Sequence, residues 1–431
     1  MARKMKDSGI EWIGEIPEGW EVIPAKFLFK NSDIRRIADD EQLTSSQQFG
    51  IISQKDYTEL TGSKVVLANK GLADWKHVEP FDFIISLRSF QGGLEMSEIT
   101  GCITWHYIVL KPCHKICSYY YKWLFKSDSY IRALQRTCSF IRDGQDLRYS
   151  NFIQVPLFEP PLAEQEKIAD YLNAECFRID AMLTKTRTSI EEYKKLKQAV
   201  ITQAVTKGVR GEREMKDSGV EWIGEIPAEW SITKIKSGVT KIGSGKTPSG
   251  GAETYTDSGV IFLRSQNVYD CTLNLESPTY ISPEVDATMK SIRVLPDDVL
   301  LNITGGSIGR CSIVPKTLGL ANVNQHVCII RTNPLIFLPK YMQYFWVSTL
   351  GHLAIDLYQT GGNREGMSAD AIRNTPIPYA PLNEQKEIAD YLDAKCAEID
   401  GLIAKKEQLV KELESYKKSL IYEVVTGKRE V

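Results

Sequence analysis

The 431-residue chain contains no run of eighteen apolar residues, so no membrane-spanning helix is expected. Its opening, MARKMKDSG, lacks the apolar core of a signal peptide. Charge of one sign is also missing. Net charge is −2, and the balance is 17 basic to 16 acidic residues over 21–160 and 13 to 11 over 231–380. Any basic patch facing nucleic acid must therefore be offset by acidic surface elsewhere. Histidine is scarce: His77, His106, His114, His326 and His352 show no partner spacing that suggests catalysis. The nine cysteines are scattered and odd in number, which fits a reducing cytoplasm better than a disulfide framework. Cys113 and Cys117 form the one close pair, without the second pair that would complete a zinc set. The length suggests two to four domains.

What the chain does have is repetition. MKDSGIEWIGEIPEGW (Met5–Trp20) returns as MKDSGVEWIGEIPAEW (Met215–Trp230), with thirteen of sixteen letters identical. PLAEQEKIADYLNAEC (Pro161–Cys176) returns as PLNEQKEIADYLDAKC (Pro381–Cys396). Residues 21–160 and 231–380, which lie between these blocks, share almost nothing. Two constant frames around two divergent inserts imply a pseudo-twofold duplicated molecule whose halves read different things.

After each PLxEQ the apolar spacing becomes helical. Leu172, Cys176, Ile179, Leu183, Thr186, Ile190, Tyr193, Lys197, Val200 and Ala204 alternate steps of four and three. Leu392, Cys396, Ile399, Ile403, Lys406, Val410, Leu413, Lys417, Leu420 and Val424 repeat that register. Such a stripe predicts a coiled-coil seam on helices of roughly 40 residues, about 60 Å long. Matched register and length favour mutual antiparallel pairing, with the inserts at opposite ends. Gly208 is a natural stop for the first helix. The chain ends where another copy of the Met5 block would begin, so it is circularly repetitive.

The inserts read as mixed α/β. Insert one has strands at Phe49–Ser53, Phe83–Leu87 and Ile103–Leu110, then a helix near Tyr119–Arg136. Insert two has strands at Val260–Leu263, Val299–Asn302 and Val327–Ile330, then a helix near Pro339–Leu357. A glycine-bearing loop follows in each, Arg142–Arg148 and Gly361–Gly366. The expected class is thus α+β, two globular mixed α/β domains separated by two long antiparallel helices. Its expected parts are 1–160, 161–208, 209–380 and 381–431.

No catalytic or metal-binding residue is assigned. Gly243-Ser-Gly-Lys-Thr247 looks like a phosphate loop, but Thr240 stands where its first glycine belongs. Glu159-Pro160-Pro161-Leu162 departs from the Asn/Asp-Pro-Pro-aromatic signature of amino-methyltransferases. Glu384-Gln-Lys386 mimics a nuclease pair but opens a helix.

The duplicated Trp-Ile-Gly-Glu-Ile-Pro blocks and twin PLxEQ-x-x-IADYL helices resemble the specificity subunit of Type I restriction–modification systems. Val299-Leu-Leu-Asn-Ile-Thr-Gly-Gly-Ser-Ile-Gly309 and Asn322-x-Asn-Gln325 also resemble insert signatures of that family. The resemblance covers almost the whole chain, and it implies two target recognition domains, each reading half of a split double-stranded DNA sequence. It further implies a helical spacer on which methyltransferase subunits dock, two of them expected, with translocating restriction subunits joining. No cofactor is expected on this chain, and S-adenosylmethionine is expected on the methyltransferase partner.

Base reading needs Arg, Lys, Asn or Gln on loops. In insert one the candidates are Arg88, Gln91, Arg142, Gln145 and Arg148, with Lys70, Trp75 and Lys76 near the DNA backbone. In insert two they are Lys246, Arg264, Gln266, Asn267, Asn324, Gln325, Asn363 and Arg364, with Ser307 and Arg310 on phosphates. Two other readings fit the sequence. A solitary DNA-binding or methylation-targeting protein would lack the methyltransferase partner. A two-headed coiled-coil scaffold would show no steep salt dependence in the presence of DNA.

Overall fold

A computed structural model describes residues 3–63, 71–86, 93–137, 147–359 and 366–431. The chain divides into two compact units, Met1–Arg187 with Gln408–Val431, and Thr188–Glu407. The division cuts each long helix near its middle, because antiparallel helices bring the start of one against the end of the other.

Each unit repeats one construction. The Met5 block is a hairpin, Met5–Asp7 on Glu15–Pro17, and its copy pairs Met215–Asp217 with Glu225–Pro227. The insert then begins and ends on one ribbon. Glu21–Ile23 pairs with Leu157–Glu159 in the first unit, and Ser231–Lys234 with Pro376–Tyr379 in the second. Because the ribbon fixes both ends of the insert, the chain between them can change without moving the frame. Within each insert four antiparallel strands form the central sheet. The order is Phe29–Ser32, Ile108–Pro112, Phe83–Ile85, Glu95–Met96 in the first unit. In the second it is Val239–Ser244, Val327–Thr332, Val299–Asn302, Cys311–Ile313. The second unit adds another sheet, in which Val260–Leu263 runs parallel to Ala321–Val323.

The helix expected near Tyr119–Arg136 is two helices, Ser118–Lys126 and Asp128–Arg136. Ser127 separates them, and its hydroxyl accepts from Tyr130 N to cap the second. Ser348 does the same between Pro339–Val347 and Thr349–Tyr358. A serine cap can restart a helix that an apolar pattern reads as continuous. The strand expected over Ile103–Leu110 is likewise broken. Gly101–Ile103 and Ile108–Pro112 are separate strands, and Tyr107 N donates to Thr104 O at 3.0 Å in the turn between them.

The long helices run Leu162–Lys207 and Leu382–Val425, 46 and 44 residues, longer than the sequence suggested. At 1.5 Å per residue the first is about 69 Å long. Every seam position named above is buried or half-buried. Asp180 binds Lys417 (2.6 Å) and Arg187 binds Glu414 (2.5 Å) in the first unit. In the second, Lys406 lies over Tyr193 and Lys197 binds Asp400 (2.7 Å). In each unit one number rises as the other falls, so the pairing is antiparallel. Lys197 and Lys417 occupy equivalent seam positions and bind equivalent aspartates, which holds the register at two places. Left-handed Gly208 (φ 76°) and Gly427 (φ 71°) follow the two helices.

The repeated blocks meet at a clasp. Trp20 Nε1 donates to Glu164 Oε2 at 2.9 Å, and Trp230 Nε1 to Glu384 Oε2 at 3.0 Å. Arg3 and Arg213 stack over these indoles and pair with the same carboxylates. The neighbouring Gln165 accepts from Cys117 N, and Gln385 from Leu338 N, both at 2.9 Å. Tyr120 OH donates to Val425 O, the end of the second helix, and Tyr341 OH to Val205 O, near the end of the first. The Glu-Gln of PLxEQ is therefore structural. It joins the hairpin, the long helix and the insert, and the C-terminal end of the chain closes the first unit as residues 200–208 close the second.

Candidate nucleic-acid interface

In the second unit the candidate residues converge on neighbouring strand ends. Gly245 N donates to Val327 O, and Lys246 N to Val323 O. A Cβ on Gly245 would lie 2.0 Å from Val323 O, so only glycine lets these segments cross. Asn324 N donates to Leu263 O, which brings the Arg264–Asn267 turn alongside. Buried Asn302 donates to Ser265 O at 2.8 Å and to Ser307 Oγ at 3.1 Å, and its backbone N donates to Arg310 O. Arg310 lies over the Tyr269 ring at 4.6 Å and Arg264 over Tyr255 at 5.6 Å. Stacking on a ring holds a guanidinium in place without consuming its donors.

Exposed Gln325 is held from two sides. Thr247 Oγ1 donates to its Oε1, and its Nε2 lies 2.9 Å from His326 Nε2. His326 Nδ1 in turn lies 2.5 Å from Thr304 Oγ1. One tautomer satisfies this chain: Nε2 accepts from Gln325 while Nδ1–H donates to Thr304. An amide locked in this way can offer a donor and an acceptor together, the pattern that matches an adenine edge. Scattered spacing gives no sign of His326 in the sequence; cross-strand placement unites it with Thr247 and Thr304.

The other candidates divide. Gln266 is exposed, whereas Asn267 is 4% exposed and spends its amide on Arg264 N and Asn274 O. Asn324 is buried and accepts from His326 N. Both position the loop. Ser307 is bound to Asn302. In the first unit Trp75 is 3% exposed and packs in the interior, and Lys76 Nζ pairs with Asp33 at 3.0 Å. Exposed Arg148 precedes the short helix Tyr149–Phe152, where its N donates to Asn151 Oδ1. Lys70, Arg88, Gln91, Arg142, Gln145, Asn363 and Arg364 lie outside the described residues.

The phosphate-loop lookalike is extended: Gly243 and Ser244 end a strand in register with Ile329 and Cys328. Among the described residues no group of three or more His, Cys, Asp or Glu could hold a metal ion, and no helix is long and apolar enough to cross a membrane. Burial pushes the Cys271 and Cys328 thiols up to about 12.

Residues 227–412 match the family described as Type I restriction modification DNA specificity domain. The protein of Methanocaldococcus jannaschii designated the type I restriction enzyme MjaX specificity subunit is 25% identical over 96% of this chain and 95% of its own length. The EcoBI specificity subunit of Escherichia coli is 25% identical over 56% of this chain and 52% of its own. Two solved structures share the fold at 15% identity. One, from work on complex assembly and conformational transition of the type I R-M system, has a TM-score of 0.70 over 95% of this chain and 98% of that one. The other, the HsdS subunit from Thermoanaerobacter tengcongensis, scores 0.55 over 96% and 98%. With its duplicated frame and its clasps, the chain resembles the specificity subunits of Type I restriction–modification systems, and residues 227–412 match their DNA specificity domain.

Proposed function

We propose that residues 1–160 and 209–380 each read one half of a bipartite DNA target, while 161–208 and 381–431 hold the two readers at a set spacing. The chain recognises DNA and does not itself catalyse. Methyltransferase subunits, two in number, dock on the long helices and carry the S-adenosylmethionine, and restriction subunits join them. The complex acts on DNA in the cytoplasm. The observation that carries this reading is one clasp, built twice, around inserts whose candidate loops differ. A frame that repeats while its loops diverge suits two readers with separate words.

Mapping modified adenines genome-wide, with the gene intact and deleted, tests it. Loss of methylation at one split motif is expected and would supply both half-words. If every motif survives deletion, the chain does not guide methylation in that host.

A further inference from the structure

The two inserts share few letters, but their strand registers align residue by residue. Ile108 faces Ile85 as Cys328 faces Leu301, and Leu110 faces Phe83 as Ile330 faces Val299. Phe81 (φ 74°) and Asp297 (φ 70°) take the same left-handed turn before those strands. Asp82 binds Lys111 as Asp298 binds Arg331. Gln42 bridges Cys102 in parallel, as Phe262 pairs with Asn322 in parallel in the second unit. The intervening turns also coincide. Tyr107 N donates to Thr104 O (3.0 Å) as Val327 N donates to Asn324 O (3.1 Å). At this offset of 220, Trp105 stands where Gln325 stands, and His106 where His326 stands.

Trp105 is 56% exposed and stacks on His106, with ring centroids 3.5 Å apart. An exposed indole on a tight turn carries a hydration cost that burial against a partner would recover. We propose that Trp105, backed by His106, is the specificity-determining residue of the first unit's turn and reads its half-word by apolar contact. The apolar feature of a base edge in the major groove is the thymine C5-methyl, so the position it reads is an A·T pair. Gln325 occupies the same place in the second unit with an amide and reads by hydrogen bonding. One turn, filled by an indole in one half and an amide in the other, gives the halves different words. The assignment rests on the proposed DNA-reading function.

The test is selection from random-sequence duplex DNA by the full chain with its methyltransferase subunits, comparing wild type with Trp105→Ala, Trp105→Phe and Gln325→Ala. Trp105→Ala should lose discrimination at one A·T position of one half-word by about 10-fold, the usual scale of a single mismatch. Trp105→Phe should keep most of it, and Gln325→Ala should damage only the other half-word. The assignment is overturned if Trp105→Ala leaves both half-words intact, weakens all sequences equally, or if both alanine variants damage the same half-word. A wild type that selects no split sequence would remove the proposed function itself, and this assignment with it.

Discussion

The clasp exists twice at two levels of burial, and this turns its energetics into a comparison within one chain. Glu384 is 1% exposed and its partner Arg213 13%, whereas Glu164 and Arg3 are each 25% exposed. Changing either glutamate to glutamine keeps an oxygen for the indole N–H but takes the carboxylate from its arginine, and Arg213 is then left with only half-exposed Glu229 at 2.9 Å. Taking the buried partner from a largely buried charge costs about 3 kcal/mol, while a more exposed pair is worth about 1 kcal/mol or less. Glu384→Gln should therefore lower the melting temperature of the second unit by about 6–12 °C, and Glu164→Gln that of the first by about 2–4 °C. Calorimetry supplies the shifts, and hydrogen exchange on peptides 5–20 and 215–230 assigns each to a unit. Arg213→Met combined with Glu384→Gln should recover at least about 1 kcal/mol, because no largely buried guanidinium then lacks its buried carboxylate. Equal losses from the two glutamine variants, or no recovery in the double variant, would refute the argument.

Adding one heptad at matching points of both long helices lengthens each by about 10 Å; the spacer of the methylated motif should grow by about three base pairs with both half-words kept. An unchanged spacer, read from the methylome, would rule out the helices as a ruler. Gly245→Ala should cost about 2 kcal/mol by forcing Val323 and Lys246 apart, and it should weaken DNA binding while leaving the clasps protected in hydrogen exchange. Iodoacetamide at pH 8 should label exposed Cys113 well before Cys271 and Cys328, whose thiols burial keeps protonated. Peptide mass spectrometry reads the order, and early loss of Cys328 would contradict the packing around it.

The frame was legible because its signals are local: identical letters, steps of four and three, and a glycine stop. The candidate site was legible only in part. Lys246, Arg264 and Gln325, polar loop residues by sequence, do converge, but Trp75, expected near the DNA backbone, lies in the core. Residue type reports what a side chain can do, and burial decides whether a partner can reach it. The unbroken strand expected over Ile103–Leu110 shows the same limit, since β-branched and aromatic letters favour extension at each residue while one backbone bond makes the turn.

By itself, then, the sequence determined the duplication, the two long helices and their shared seam, because those follow from short-range periodicity. Only the tertiary structure decided what the repeated Trp and Glu are for, and that Trp105 and Gln325 occupy one place. Both depend on partners between 22 and 154 positions apart, and the place shared by Trp105 and Gln325 lies in segments whose letters do not match. Cross-strand register is set by backbone hydrogen bonds that any side chain permits, so it can be preserved while the letters that would reveal it are lost.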